Sequence, residues 1–258
     1  MTTATAPLGT LLKDWRRRRR LSQLDLALEA GVSARHLSFL ETGRSKPSRE
    51  MVLHLCEQLD VPLRDRNRLL LAAGYAPAFE ERPIDAPEMA PVREALDRVL
   101  KGHEPYPAVV VDRWWDLVAG NGAIATFTAS VADHLMEPPV NVLRVSLHPE
   151  GMAPRIRNYG EWRAHLVDRL RRQVALTADD RLAALYDELA GYPGETAEVH
   201  APADQIAVPL RFDAGERELA FFSTVATFGT AVDITLAELA IEAFFPADEA
   251  TAAYLRGN

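Results

Sequence analysis

The sequence predicts a multidomain chain: an all-α bundle of five short helices over residues 1–75, followed by an α+β domain with an antiparallel sheet over residues 92–258. Three observations support this division. Capping residues and apolar side chains at helical spacing recur before residue 75. Four prolines and several acidic residues mark residues 76–91 as an extended, semi-rigid linker. Beyond it, β-branched segments flank two long helical patterns, as in an α+β domain.

The charge is divided in the same way as the predicted domains. Residues 1–75 hold 13 Lys and Arg against 8 Asp and Glu, whereas residues 76–258 hold 16 against 29, for a net charge of −8. A basic first third joined to an acidic remainder indicates a nucleic-acid-binding module attached to a domain that phosphate repels.

Two observations place the chain in the cytoplasm. A single cysteine, Cys56, excludes a disulfide framework and suits a reducing compartment. Residues 1–8 lack the charge pattern of a signal peptide, and no segment approaches the ~20 apolar residues of a membrane helix, so no membrane partner is expected.

Each helix of the bundle has its own start or stop signal. Apolar residues at helical spacing predict the first helix, and serines cap the second, third and fourth. Glycines follow the second, third and fifth helices, and Val61–Pro62 separates the fourth from the fifth. The residues are Leu8, Leu11, Leu12 and Trp15 in the first helix, the caps Ser22, Ser33 and Ser48, and the glycines Gly31, Gly43 and Gly74. The second helix is predicted over Gln23–Ala30 and the third over Ala34–Glu41.

Residues 21–44 closely resemble the helix-turn-helix of the Xre/Cro repressor family. The resemblance rests on Leu21 to Ala27, Ala30 to Ser33 and Leu37 to Arg44 and covers about 55 residues. Small Ala27 fits where the helices cross, and Gly31 permits the turn. Glu41 ends the third helix facing the first, where Arg16 is a plausible ion-pair partner.

The resemblance implies that the third helix enters the major groove of double-stranded DNA. Arg35 is the candidate for guanine because its fork matches O6 and N7. Gln23 is expected to hold a phosphate and to brace Arg35. The full set of candidate DNA contacts is Gln23, Ser33, Ala34, Arg35, His36, Ser38, Phe39, Arg44 and Lys46, and Arg49 is a further candidate for the phosphate backbone.

Other interpretations of this region remain open. A five-helix bundle is also compatible with a protein-interaction module. The Arg16–Arg20 run points in all directions around a helix, so only part of it can approach phosphate. His54 and Cys56 lie on a core-forming helix and are interpreted as structural.

The second domain alternates strands and helices. Helices are predicted at 92–101, 158–175 and 179–190, with a small one from Gly122. Residues 108–112 and 116–119 predict a hairpin, and Ile206–Phe212 and Leu219–Phe228 predict further strands around a turn at Ala214–Glu216. Ile234–Phe245 completes the sheet, although Leu236–Ala243 fits a helix equally well.

The second domain resembles the MmyB-like regulators of bacteria. The resemblance rests on residues 106–121, on residues 64–77, on Asn141–Arg144, on His148–Gly151 and on the helix around Trp162. It implies a PAS-like domain that binds a small hydrophobic ligand, with fatty acids as the suspected class. The family pattern carries a tryptophan near residues 194–200, which this sequence lacks, and this puts the identity of the ligand in doubt.

An acyl chain needs an apolar tunnel with a few polar groups at its mouth. Arginine or a hydroxyl suits a carboxylate, so Arg144, Arg163 and Asn121 are polar candidates. The candidate wall residues are Val110, Val118, Phe127, Leu143, Trp162, Leu166, Phe221 and Phe222. Ordinary core and surface roles remain the alternatives for each.

Signals for catalysis are missing from the sequence. There is no metalloprotease, nucleophile-elbow or P-loop motif, and seven scattered histidines show no metal-ligand spacing. Gly120–Ala125 fits G-x-G-x-x-A, but no parallel strand with an acidic residue follows as a dinucleotide fold requires. We expect no enzyme, no metal and no cofactor beyond a bound fatty acid or similar apolar ligand.

These predictions combine into a homodimeric, ligand-responsive transcription factor. Two alternatives remain: a constitutive DNA binder whose second domain recruits a protein such as RNA polymerase, and an enzyme-like sensor with an appended DNA-binding domain. A cavity too small or too polar for a ligand favours the first, and turnover of a bound molecule favours the second.

Overall fold

The structure, a computed structural model, describes residues 6–194, 207–215 and 217–257. The chain forms two compact units. The first consists of Met1–Arg82 together with Thr230–Ala237, and the second of Pro83–Gly229 together with Glu238–Asn258. A short segment from late in the chain therefore belongs with the N-terminal bundle, although the sequence placed it in the second domain.

The first unit contains the five predicted helices. Ser22, Ser33 and Ser48 each accept a backbone N–H at the start of a helix, as predicted. Leucines at helical spacing and Trp15 form its buried core. The helices are α1 (Leu8–Arg18), α2 (Gln23–Glu29), α3 (Ala34–Glu41), α4 (Arg49–Gln58) and α5 (Leu63–Ala72).

Helices α1 and α3 come into backbone contact at Gly9. A Cβ atom at this position would lie 2.3 Å from the carbonyl oxygen of Glu41. Only glycine allows this approach, because any side chain would overlap the end of α3. The contact fixes the first helix against the helix that is predicted to read DNA.

The first part of the predicted linker is fastened to α5. The Asn67 amide donates to the Phe79 carbonyl, and its oxygen accepts from the backbone N–H groups of Ala78 and Phe79. Arg64 pairs with Glu81 in the same stretch. Residues 76–82 are thus part of the first unit, and the next helix, α6 (Ala90–Gly102), already begins within the predicted linker.

The second unit is built on a five-stranded sheet in which every neighbouring pair is antiparallel. This confirms the predicted α+β fold with its PAS-like antiparallel sheet. The strand order is β2-β1-β5-β4-β3. The strands are β1 (Ala108–Val111), β2 (Leu117–Gly120), β3 (Leu210–Asp213), β4 (Glu218–Thr227) and β5 (Ala240–Pro246).

Both long helical patterns form helices, and other helices escaped prediction. The remaining α-helices of the described residues are α7 (Ala125–Thr128), α8 (Val142–Leu147), α9 (Tyr159–Thr177), α10 (Asp180–Ala190), α11 (Ile234–Glu238) and α12 (Glu249–Arg256). Asn141 caps α8 and Asp248 caps α12. These two capping residues are the sequence signals that could have revealed them.

The segment predicted as a strand over Ile234–Phe245 divides into two elements. Residues 234–238 form α11, and the strand β5 starts only at Ala240. Asp233 explains the helix, since its carboxylate accepts the backbone N–H groups of Thr235 and Leu236. The strand predicted over Ile206–Phe212 begins at Leu210 as β3. Ile206, Glu216 and residues 195–200 lie outside the described residues.

Candidate functional site

Helix α3 buries one face and presents the other to solvent. Leu37 and Leu40 are buried in the core of the first unit. On the opposite face, Arg35 is exposed, and three further side chains are half-buried. Together they are Ala34, Arg35, Ser38 and Phe39, the outward positions predicted from the sequence.

Two arginines flank the ring of Phe39. The guanidinium carbon of Arg35 lies 5.3 Å from the ring centre, and that of Arg44 lies 5.9 Å from it. This cation–π arrangement orients both charges along the exposed face. Neither arginine has a carboxylate partner among the residues that the structure describes.

The end of α3 is tied to α1 and α2 through Glu41. Arg16 donates to both oxygens of Glu41, over 2.6 and 2.8 Å, which confirms the predicted ion pair. The amide of Gln23 also donates to Glu41, over 2.8 Å. Burial would raise the pKa of Glu41, but the hydrogen bonds from Arg16 and Gln23 outweigh it, and the pKa is lowered.

Among the described residues, Gln23 is bonded to Glu41 and not to Arg35, so the bracing of Arg35 by Gln23 on DNA stays a prediction. The amide N–H of Gln23 donates to the Glu41 carboxylate, and the guanidinium of Arg35 lies over the Phe39 ring. Gln23 is the first residue of α2, and its bond to Glu41 joins the start of α2 to the C-terminal end of α3.

The remaining predicted DNA contacts are exposed or half-buried. Ser33 is exposed and caps α3 through the backbone N–H of His36, which is half-buried. Lys46 is exposed, with its Nζ 5.8 Å from the centre of the Tyr75 ring. Arg49 is exposed at the start of α4.

The arginine run after Trp15 is mostly structural. Arg16 is buried with Glu41, and Arg19 donates to the carbonyl oxygens of Leu59 and Asp60. His54 and Cys56 are also in structural positions. His54 bonds the carbonyl oxygen of Ala30, and burial raises the pKa of the Cys56 thiol to about 12.

A cavity lies in the second unit between one face of the sheet and the helices α7 to α9. Its wall is formed largely by apolar side chains. They are Val109, Leu117, Ile124, Phe127, Met136, Val140, Val142, Leu143, Val145, Met152, Trp162, Leu166, Leu210 and Phe244, and the polar side chains on it are Thr128, Ser146 and Glu242. The arrangement is a hydrophobic chamber with a few polar groups, as small-molecule sites usually are.

The cavity has a volume of about 80 Å³. Sites for drug-sized ligands measure roughly 300–1,000 Å³, and an engineered cavity of roughly 150 Å³ holds benzene. Even a ligand of the size of benzene therefore requires wall side chains to move, and a longer alkyl or acyl chain requires a larger movement. Met136 and Met152 are the residues best suited to this, because methionine is unbranched and adapts its shape.

Two polar contacts are built into the wall. The indole N–H of Trp162 donates to the Ser146 hydroxyl over 3.0 Å. The carboxylate of Glu242, only 4% exposed, accepts from Arg169 over 3.2 Å. The guanidinium of Arg169 lies 4.2 Å from the ring centre of Trp115. Glu242 faces Val109 across the β1–β5 pair, which places it in the middle of the sheet.

The structure brings part of the predicted ligand set together on this wall. Phe127, Leu143, Trp162 and Leu166 line the cavity. Val110 and Val118 are strand neighbours of the wall residues Val109 and Leu117, so strand alternation turns them to the other face. Phe221 is buried beside Phe127, with their ring centres 5.1 Å apart, and Phe222 is 41% exposed.

The three polar candidates are engaged elsewhere. Arg144 makes two bonds of 2.7 Å to Glu188, and these raise its pKa. Arg163 is buried and donates to the carbonyl of Ala190 at the end of α10. Asn121 is buried and bonds backbone groups around β1. Each satisfies local groups, and none belongs to the cavity wall.

Sequence reasoning missed the contribution of β5. Glu242 and Phe244 alternate with Ile241 and Ala243 along the strand, and this period of two was the signal. The helical alternative for Leu236–Ala243 obscured it. The methionines Met136 and Met152 lie in loops and gave no periodic signal.

One cluster of metal-ligating side chains forms on the surface of the second unit. Ligand atoms of His134, His148 and Glu150 lie within 4.8 Å of one another. His148 Nδ1 accepts the backbone N–H of Glu150, so a turn accounts for its orientation. The linear spacing could not reveal this group, because the fold brings the residues together.

The comparisons with known proteins identify two domains in the chain. Residues 7–69 match a family model described as a helix-turn-helix domain, and residues 92–257 match the MmyB-like transcription regulator ligand binding domain. The uncharacterized HTH-type transcriptional regulator RghRB of Bacillus subtilis (strain 168) is 32% identical over 112 residues, which cover 42% of this chain and 78% of the relative. None of the described helices is both long and apolar enough to span a bilayer.

Proposed function

From the premise that the chain belongs to the MmyB-like transcription regulators, we propose that a small apolar molecule in the cavity controls its affinity for DNA. The two matched domains make the chain a DNA-binding transcriptional regulator with a ligand-binding domain. The proposal adds two points: the signal is a small apolar molecule, and its binding in the cavity changes the affinity for DNA.

The DNA half of the proposal places α3 in the major groove. Arg35, exposed and held over Phe39, contacts guanine through its two parallel N–H groups. Ser38 serves as a base contact, and Ala34 and Phe39 supply apolar surface for thymine methyl groups. The contacts to phosphate come from Gln23, Ser33, His36, Arg44 and Lys46, which surround this face.

The protein acts as a homodimer in this proposal. A helix-turn-helix dimer reads two half-sites about one helical turn apart, roughly 34–36 Å. The operator is then a pseudo-palindrome. Size-exclusion chromatography with light scattering tests the dimer, and nuclease footprinting on a selected duplex tests the spacing; a monomer that protects one half-site contradicts this part.

One observation carries the sensing half of the proposal: the cavity wall is joined directly to the DNA-binding unit. The β5 residues Glu242 and Phe244 line the cavity, and Thr230–Ala237, a few residues before them, belongs to the first unit. Arg82 of that unit pairs with Asp233, and Glu80 accepts the backbone N–H of Ile234. A ligand that moves β5 therefore also moves a segment that belongs to the DNA-binding unit.

A binding assay tests the sensing half. A DNA duplex selected from a random library is titrated with the full chain, and fluorescence anisotropy gives Kd with and without hexan-1-ol, hexylamine or hexanoate at saturation. We expect at least one compound to change Kd by about fivefold or more. Val142→Phe fills the cavity and should abolish the response while preserving DNA binding.

The opposite result identifies the alternative function. If calorimetry shows a compound bound and Kd for DNA stays the same, ligand control is wrong. The second unit then serves a constitutive DNA binder, for which a recruited protein partner is the remaining role. Turnover of a bound compound would instead favour the enzyme-like sensor.

A further inference from the structure

We infer that the cavity selects neutral ligands that carry a hydroxyl group, and that Glu242 and Ser146 are the residues that recognise this group. The inference rests on the proposed ligand-sensing function and specifies its ligand class. It departs from the fatty acids that the family resemblance suggested, because the polar groups of the wall do not suit a carboxylate.

The charges at the wall are already balanced. Among the described residues that line the cavity, Glu242 is the one charged side chain. Its carboxylate is paired with the guanidinium of Arg169. Arg169 also lies over the Trp115 ring, so its charge is engaged on two sides. A carboxylate ligand would add a second negative charge next to Glu242, and a buried charge without a partner is costly.

An ammonium ligand is disfavoured by its positive charge. It would bring a second positive charge to a carboxylate that Arg169 already satisfies. Either ion leaves a net charge in an apolar chamber, whereas a neutral ligand leaves the Glu242–Arg169 pair intact.

The hydrogen-bonding groups of the wall match a hydroxyl. Ser146 accepts the Trp162 indole N–H, and its own hydrogen has no acceptor within the described part of the chain, so it can be donated into the cavity. Glu242 retains acceptor capacity, since a carboxylate has about four lone-pair sites and Arg169 uses one oxygen. An alcohol or phenol both accepts and donates, so its hydroxyl group matches the donor of Ser146 and the acceptor of Glu242.

The test compares hexan-1-ol, hexanoate and hexylamine, which share an apolar chain and differ in the charge of the head group. Isothermal titration calorimetry on the full chain at neutral pH gives Kd for each. We expect hexan-1-ol to bind at least about tenfold more tightly than either ion, since an unpaired buried charge costs more than one factor of ten.

Two variants test the charge balance. Glu242→Gln leaves Arg169 unmatched and should improve hexanoate binding at least about tenfold, and Arg169→Gln should do the same for hexylamine. Glu238→Gln is the matched control: it removes a carboxylate that pairs with Arg113 away from the cavity wall, and the order of affinities should not change. Circular dichroism melting verifies that each variant is folded.

The possible results distinguish a failure of the proposed ligand class from a failure of ligand sensing itself. If hexanoate binds the wild type as tightly as hexan-1-ol, or Glu242→Gln fails to improve it, the ligand class is wrong and ligand sensing survives. If a variant is unfolded, the wild-type ranking of the three compounds alone decides. If none of the compounds binds the wild type, ligand sensing at this cavity fails together with the inference.

Discussion

The two units of the chain differ in how they assemble their functional residues. In the DNA-binding unit, the outward-facing residues Ala34, Arg35, Ser38 and Phe39 lie on about one and a half turns of a single helix. In the second unit, the cavity wall runs from Val109 to Phe244 and draws on four strands, three α-helices and the segments between them. One site is local in sequence and the other is a product of tertiary structure.

The difference shows what holds each site in place. The DNA-reading face depends on how α3 is anchored, through Glu41 and through the close contact at Gly9. The cavity depends on strand register and on a buried pair between Glu242 and Arg169. A substitution at one of these contacts should therefore impair the site of the unit that contains it and spare the other site. The following predictions test this independence.

Breaking the Glu41 cluster should have the largest effect. In Glu41→Gln, Arg16 stays buried without its counter-charge, and we expect a loss of about 3 kcal/mol in the unfolding free energy of the first unit. Urea unfolding followed by circular dichroism measures it. Asp97→Asn, which removes an exposed ion pair with Lys101, is the control and should leave stability unchanged.

The same cluster predicts a pH dependence. Because the pKa of Glu41 is lowered in the folded state, its contribution is present above the unfolded pKa and is lost as the pH falls through the folded pKa. The wild type should therefore lose more stability than Glu41→Gln across that acid range. Parallel unfolding curves for the two proteins at every pH would contradict a stabilising role for the carboxylate.

Two glycines, one in each unit, offer a reciprocal test. An added Cβ would lie 2.3 Å from the Glu41 carbonyl oxygen at Gly9, and 2.2 Å from that of Val145 at Gly151. Each alanine variant should lose up to about 3 kcal/mol, because backbone atoms must shift. Gly9→Ala should weaken DNA binding and preserve ligand binding, and Gly151→Ala should do the reverse.

The control for both is Gly102→Ala, since no atom lies within 4 Å of a Cβ at that helix end. It should leave stability unchanged or slightly raised. If Gly9→Ala and Gly151→Ala impair both activities equally, the units do not hold their sites independently, and the comparison fails.

Substituting Arg35 tests whether this residue recognises a base, and the expected change in DNA-binding free energy is smaller. Arg35→Ala should cost about 1–3 kcal/mol in DNA-binding free energy and relax specificity at one base pair. Lys46→Ala should weaken binding equally for all sequences. The slope of the logarithm of the binding constant against the logarithm of the salt concentration should become shallower by about one. Anisotropy titrations on single-substituted duplexes at several salt concentrations distinguish the two; equal losses on every duplex for Arg35→Ala would remove it from base recognition.

The local site could be predicted from the sequence, and the tertiary site only in part. Ser22 and Ser33 set the starts of α2 and α3, and the spacing of Leu37 and Leu40 then fixes which side chains of α3 point outward. No comparable sequence rule identifies the residues that line the cavity. Whether Glu242 faces it depends on the pairing of β5 with β1, which brings Glu242 opposite Val109, a residue far away in sequence.

The arginines Arg144 and Arg163 illustrate the same limit. Their residue type suited a carboxylate ligand, but Arg144 pairs with Glu188 and Arg163 donates to the carbonyl oxygen of Ala190 at the end of α10. A charged side chain in a folded chain pairs with whatever acceptor the tertiary structure places nearby. Their sequence neighbourhood carried no information about those acceptors, because the partners lie on another helix.

The smallest predicted effect concerns the segment that joins the two sites. Arg82→Gln removes the ion pair to Asp233 but leaves Asp233 as the cap of α11. Since Arg82 is partly exposed, stability should change little. The response of DNA affinity to a bound ligand should fall by about 1 kcal/mol, because Thr230–Ala237 is held less firmly to the DNA-binding unit.

Anisotropy titrations with and without saturating hexan-1-ol measure that response in both proteins. Arg68→Gln is the matched control, because Arg68 pairs with Asp65 within the same unit and has no link to residues 230–237. A full response in Arg82→Gln would mean that the ligand acts on DNA binding by another route. A reduced response in Arg82→Gln alone would make residues 230–237 the element through which a cavity in one unit controls a helix in the other.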